Sequence, residues 1–272
     1  MMSISETKRL LREHRIVPNK LLGQNFMTDA SIFPLLSDYA SLNKTDVVLD
    51  AGAGFGFLTR FLANKCKAVI AVEKDPRIAE VLREQLKGIN NVTIVRDDVL
   101  RAKLPDFNKV VSIPPYYLSS RLLTWLLEQK IECAVLILQK DFARRLVAAV
   151  GSEDYGWLTV ITYHSAEVEL FDAVPNSLFY PPPEVDSVIV RLAPWGIAPF
   201  EVKNKEFFRR MVKYLFTQRN KKLRNALVSF IASTLKIGKD AENLAISLPL
   251  SQQRVRKLPP EVFGALANAL TN

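Results

Sequence analysis

An α/β fold, a parallel sheet with helices on both faces, followed by a small all-helical C-terminal domain, is predicted by three observations. Short apolar runs alternate with helix-period segments through the first half of the 272 residues. A glycine-rich turn separates the first such run from its helix. The positive charge is confined to the last third of the chain.

The elements follow in order. Met1 to Lys20 is basic and helical in pattern, with Glu6 and Glu13 and no apolar core of a signal peptide. Residues 46–50 read as a buried strand, and Ala51-Gly52-Ala53-Gly54-Phe55-Gly56 as the turn before a helix from Leu58 to Asn64. Lys67 to Val72 is a second strand ending at Glu73, Pro76 to Leu86 a helix, Val92 to Val95 a third strand and Lys109 to Ser112 a fourth. Leu118 to Glu128 is helical, Ala134 to Leu138 a fifth strand, and Phe142 to Val150 a helix. The pattern then changes. Leu158 to His164 and Ser187 to Leu192 read as strands, with Glu167 to Val174 between them and an antiparallel addition at the sheet edge. Residues 193–199 form a Pro/Gly linker, and Glu206 to Thr217, Lys222 to Thr234 and Pro260 to Ala269 have helical spacing. The division expected is residues 1–194 and 195–272.

Residues 1–194 hold 23 Lys/Arg and 23 Asp/Glu, whereas 195–272 hold 14 and 5, so the whole net charge of +9 lies in the second part. A neutral body with a basic lobe points to a polyanion, nucleic acid before an acidic membrane surface. No apolar run approaches the ~18 residues of a membrane span. Cys66 and Cys133 sit in apolar surroundings without metal spacing, as buried free thiols of a cytoplasmic protein would. His14 and His164 lack acid or cysteine partners at ligand spacing, so no metal or triad is expected.

The turn after the first strand, with Glu73 about 20 residues on, has the layout of a nucleoside site whose ribose hydroxyls meet a carboxylate. A dinucleotide would need a third glycine for its pyrophosphate, and that position is Phe57. S-adenosylmethionine has no phosphate and tolerates the looser turn. Asp97-Asp98 after the third strand adds an acceptor where an adenine amine would lie, with Asp98 preferred. Ile113-Pro114-Pro115-Tyr116 at the end of the fourth strand is a proline-stiffened ledge. Its carbonyls before and at Pro114 aim at an exocyclic amine, and Tyr116 offers a stacking face to a flipped base. Ile113 stands where Asn or Asp is usual in such a ledge and supplies no side-chain acceptor.

On these residues the chain resembles the KsgA/RsmA family of small-subunit rRNA adenine N6,N6-dimethyltransferases, in its archaeal branch. The resemblance spans nearly the whole chain. Besides the turn, Glu73 and Asp97-Asp98, it is carried by Leu22 to Met27, Tyr155-Gly156, Phe179 to Ser187 and Gln218 to Leu227. It implies a Rossmann-like sheet that binds S-adenosylmethionine through Gln24, Asn25, Met27, Gly52, Gly54, Glu73, Lys74, Asp98 and Val99. The implied activity is dimethylation of two adjacent adenosines near the 3′ end of small-subunit rRNA, on a pre-30S particle, by a monomer. Ile113 leaves a second reading open, a slowed or inactive assembly factor of the same fold. A related large-subunit methyltransferase is a further rival, against which the Gln218 to Leu227 segment argues. Candidate RNA contacts are Arg209, Arg210, Lys213, Arg219, Lys221, Lys222 and Arg224, while Arg144 and Arg145 on an earlier helix read either as RNA contacts or as a solvated helix face. Phe179 either stacks on the base or packs its loop onto the sheet.

Overall fold

The computed structural model describes residues 3–19, 23–234, 245–246 and 250–271. Leu22, and Met1 and Lys20 of the N-terminal segment, lie outside them. The chain forms two compact units: residues 1–143 with 168–194, and residues 144–167 with 195–272. A single cut after residue 194 therefore misses that the segment 144–167 belongs with the later unit.

The first unit is built on a seven-stranded sheet. Its strands in chain order are β2 (Val47–Ala51), β3 (Ala68–Val72), β4 (Val92–Val95), β5 (Lys109–Ser112), β6 (Cys133–Gln139), β7 (Ala166–Val174) and β9 (Ser187–Pro194). They lie in the order β4-β3-β2-β5-β6-β9-β7. The first five are parallel, and β9 runs antiparallel to β6 from Ala134↔Leu192 to Gln139↔Ser187. A separate antiparallel pair joins β1 (Phe26–Met27) to β8 (Phe179–Tyr180). Helices α1 (Ile4–Glu13), α2 (Ile32–Tyr39), α3 (Phe57–Ala63), α4 (Pro76–Gln85), α5 (Ser119–Leu126) and α6 (Lys140–Leu146) connect the strands or precede them. Strands buried on both faces read as continuous apolar runs, which is why β2, β3, β5 and β6 are legible in the sequence. The core gathers Leu36, Val48, Leu62, Val69, Val111, Val135, Ile137 and Ile189. Leu10, Leu11, Phe26, Phe55, Ile78 and Val81 form a second cluster.

The order reverses between β2 and β5, because β2 leads to β3 and β4 on one side while β5 and β6 continue on the other. Parallel sheets bind ligands at such a reversal, beyond the C-terminal strand ends. At the opposite end of the same two strands a buried ion pair pins them. Lys109 is 5% exposed and Asp46 1%. Lys109 Nζ donates to Asp46 Oδ2 at 3.0 Å and to the Ser41 carbonyl at 2.9 Å. Burial pushes the Asp46 carboxyl up, but Asn108, the Asn43 N–H and Lys109 pull it further down.

The second unit contains α7 (Trp157–Ser165), α8 (Lys205–Thr217), α9 (Leu223–Thr234) and α10 (Pro260–Leu270). The sequence reading of Leu158 to His164 as a strand is wrong; those residues are α7. Nearly every side chain there is buried, so no polar face marks the helical period. A fully buried helix and a buried strand cannot be told apart by periodicity. Tyr163 and His164 pack on Phe200, and His164 also meets Phe208 at 5.2 Å. The helix expected from Phe142 to Val150 is α6, which starts two residues earlier and stops at Leu146. Cys66 and Cys133 are buried free thiols, and burial pushes the Cys66 pKa up to about 11. Among the described residues no helix is long and apolar enough to cross a membrane, and no group of three His, Cys, Asp or Glu could hold a metal.

Lys109→Met removes one charge of the buried pair and strands the other. It is expected to destabilise the chain by about 3–5 kcal/mol in urea denaturation. A loss below about 1 kcal/mol would show that the pair does not hold the strand starts.

Candidate active site

The site begins where β2 ends. The N–H groups of Gly52 and Ala53 both donate to the Val72 carbonyl, at 2.8 and 3.0 Å, so the turn hangs from the end of β3. Thr59 Oγ1 of α3 donates to Asp50 Oδ2 at 2.6 Å and fixes the helix start against the strand. Gly52 has φ +82°, and a Cβ on it would lie 2.6 Å from Pro115 Cδ. The turn and the proline ledge therefore touch, and only glycine permits it. The Ala51 N–H also donates to Ser112 Oγ at 2.8 Å, which ties the end of β2 to the end of β5.

Glu73 ends β3 with its carboxylate buried. Oε2 accepts the Gly54 N–H at 3.0 Å and Oε1 the Asp75 N–H at 2.8 Å. Burial pushes its pKa up, while the N–H groups of Asp75, Gly54 and Lys74 draw it back. A carboxylate has about four lone-pair sites, so these backbone donors leave it capacity for a hydroxyl donor. Asp75 caps α4 by accepting the Arg77 N–H at 3.0 Å, and Gln24 Nε2 donates to its Oδ2 at 3.1 Å. Gln24 Oε1 in turn accepts the Asn19 N–H at 2.8 Å, so Gln24 is a strut between the N-terminal segment and β3. After β4, Asp98 accepts the Leu100 N–H at 3.1 Å and Lys74 Nζ at 3.1 Å. Burial raises its pKa, and these two donors with the Arg121 charge more than reverse that.

These groups converge on a cavity of about 380 Å³, within the range of small-ligand sites. It brings together Gln24, Asn25, Gly52, Gly54, Glu73, Lys74, Asp98, Val99, Ile113 and Pro115. The turn, the carboxylates and the ledge are thus one site. Met27 is not in it. It is 6% exposed in the core and borders a neighbouring space of about 60 Å³.

In the ledge Pro114 is buried, and Tyr116 is not among the residues that line this cavity. The Tyr116 hydroxyl is 2.7 Å from Ser187 Oγ, its ring meets Phe179 edge-on at 6.2 Å, and burial pushes its pKa up to about 12. Tyr117, 45% exposed, lines the cavity instead. Phe179 is 2% exposed and packed in the core. The Pro115 carbonyl accepts the Leu118 N–H at 2.9 Å. Among the described residues no donor reaches the carbonyls of Ile113 or Pro114, which stay open as acceptors. Sequence reasoning also missed Phe26, Asp75 and Tyr117. The signal for Tyr117 was its place beside Tyr116, and Phe26, stacked on Phe55 at 4.3 Å, lay within the segment already singled out.

The basic candidates lie in the second unit. Arg144, Arg145, Arg210, Lys213, Lys221 and Lys222 are exposed, and Arg209 and Arg224 half-buried. Lys213 Nζ sits 4.7 Å from the Trp157 ring, and Arg210 5.6 Å from Phe207. Lys222 Nζ donates to Gln252 Oε1 at 3.2 Å. Arg219 donates to the carbonyls of Ser152 and Glu153 at 3.1 and 2.9 Å, so its guanidinium is engaged within its own unit.

Residues 17–257 match the family model described as ribosomal RNA adenine dimethylase. A Methanosarcina mazei protein named probable ribosomal RNA small subunit methyltransferase A is 40% identical over 249 residues, 91% of each chain. Among solved structures, a dimethyladenosine transferase from Plasmodium falciparum superposes with TM-score 0.76 at 24% identity, over 90% of this chain and 97% of that one. The 23S rRNA methyltransferase ErmE superposes with TM-score 0.64 at 31% identity, over 91% and 100%.

Gly52→Ala and Gly54→Ala both place a side chain at positive φ, costing about 1 kcal/mol each. Only at position 52 does the new Cβ strike a proline ring; at 54 its nearest neighbour is Phe26 at 3.6 Å. Gly52→Ala is expected to cost a further 1–3 kcal/mol or so in urea denaturation. Equal losses would mean that turn and ledge are not in contact.

Proposed function

Because this chain belongs to the ribosomal RNA adenine dimethylase family, we propose that it methylates the exocyclic amines of two adjacent adenosines near the 3′ end of small-subunit rRNA, using S-adenosylmethionine. It acts as a monomer on the pre-30S particle, in the cytoplasm. The observation that carries the reading is the shared cavity, in which Gly52, Glu73 and Asp98 face the same space as Ile113 and Pro115.

The residues fit this donor. Its lack of a phosphate suits a turn that ends in Phe57. The free lone pairs of Glu73 accept the ribose hydroxyls, Asp98 accepts the adenine amine, and Ile78 and Val99 give the ring an apolar seat. When bound, the donor supplies an electrophilic methyl group on a sulfonium centre.

The chain's own task is to orient a weak nucleophile. An adenine amine has its lone pair delocalised into the ring, and acceptors that bind its N–H groups favour a tetrahedral nitrogen. The carbonyls of Ile113 and Pro114 take this role, stiffened by two prolines. They also stabilise the positive charge that develops on the nitrogen, in a site lined in part by the apolar groups of Phe26, Pro115 and Leu118. Tyr117 offers the ring on which the target base stacks, the role the sequence reading gave to Tyr116. The second unit holds the RNA through Arg210, Lys213, Lys221 and their neighbours.

Ile113 favours a second reading. One acceptor of the ledge is missing, and the loss of such a hydrogen bond to a charged group costs about 1.5–3 kcal/mol, or roughly 10- to 150-fold in rate. A chain that binds the particle and barely methylates would serve as an assembly factor.

Methyl incorporation into unmodified small subunits separates the two. The natural chain is expected to transfer methyl groups, and Ile113→Asn to do so at least about tenfold faster. No transfer by the natural chain, with activity appearing in the variant, would favour the assembly factor. Transfer to large-subunit RNA alone would overturn both.

A further inference from the structure

The sequence places no net charge on residues 1–194, but the structure does not spread those charges evenly. An open groove of about 510 Å³ on the first unit is lined by Lys74, Arg96, Arg101 and Arg121, with Asp97 and Asp98. Lys74, Asp97 and Asp98 also line the donor cavity, so the groove starts where the cavity ends. We propose that this groove holds phosphodiester groups of the substrate RNA beside the donor cavity, as an anchoring site on the catalytic unit itself.

Arg96 directly follows β4, Arg121 lies in the first turns of α5, and Arg101 is set by its N–H to the Asp98 carbonyl at 2.8 Å. All three are exposed. Among the described residues none of the three guanidinium groups makes a hydrogen bond or ion pair. The two carboxylates offset only part of that charge. Asp98 is taken by Lys74 and the Leu100 N–H, and Asp97 accepts the Asp98 N–H at 2.7 Å. Four cations against two engaged carboxylates leave a concave surface with excess positive charge. Guanidinium forks match phosphate oxygens in pairs, which a diffuse solvated face does not require. The donor has no phosphate to offer, so the anion must come from another molecule. An RNA strand that delivers a base to the ledge carries phosphates on both sides of it.

This inference rests on the rRNA methyltransferase reading. Its test is the salt dependence of binding between the full chain and a small-subunit rRNA fragment carrying the target adenosines. Arg96→Ala/Arg101→Ala leaves Arg121, whose charge reaches Asp98, in place. The double variant is expected to lose about 1.5 from the slope of log affinity against log salt, since each phosphate contact contributes roughly 0.7–0.9. Its KM for RNA should rise at least tenfold with kcat within twofold, and its affinity for S-adenosylmethionine, by calorimetry, should stay within twofold. An unchanged slope and KM in a variant that still binds the donor would overturn the groove's role alone. A natural chain that neither binds the fragment nor methylates it would overturn the parent reading, and the groove with it. A variant that loses donor binding would also count against the groove as a separate site, once the single variant Arg101→Ala repeats that loss.

Discussion

The approach of Gly52 to the Pro115 ring is the contact on which the site depends. Parallel pairing of β2 with β5 brings the two strand ends to one level, but pairing alone leaves room for side chains between the loops. A bare backbone at Gly52 removes that room. The Ala51 N–H bond to Ser112 Oγ closes the same seam from below. The donor side and the acceptor side therefore form a single rigid wall, and any group placed on the turn faces the ledge without a further conformational step. Preorganisation of this kind is the main resource of an enzyme whose nucleophile needs orientation more than a strong base.

The rest of the pocket is held by backbone donors. Glu73, Asp75 and Asp98 each accept at least one main-chain N–H. Carboxylates fixed this way keep their direction with few side-chain partners and spend only part of their acceptor capacity. The N-terminal segment joins through Gln24, which connects Asn19 to Asp75, and through Phe26 stacked on Phe55. Residues close to the chain start thus complete a site made by β2, β3 and β5.

Much of this was legible in the residues. Four of the parallel strands, β2, β3, β5 and β6, stood out because buried strands are continuously apolar, and Glu73 and Asp98 stood out because they follow strand ends. What was hidden depended on tertiary direction. The run at Leu158 to His164 has no polar face, so its helical nature emerges only from packing on Phe200 and Phe208. Met27 and Phe179 carry motif positions, but both pair in the short β1–β8 ladder and point into the core. Tyr116 and Tyr117 are adjacent, and the single 3-10 turn they open decides which ring reaches the cavity. No spacing rule encodes that rotation. The cationic groove was invisible for another reason: a sum over 194 residues cancels charges that the fold separates.

One wall presents both the donor nucleoside and the adenine amine. A crystal structure of the chain with S-adenosylhomocysteine and adenosine monophosphate tests it most directly. The account predicts ribose hydroxyls on Glu73, and the exocyclic nitrogen of the second nucleoside within hydrogen-bond distance of the Ile113 and Pro114 carbonyls. An adenosine whose amine faces away from that ledge, or a donor seated elsewhere than against Gly52 and Glu73, would contradict it.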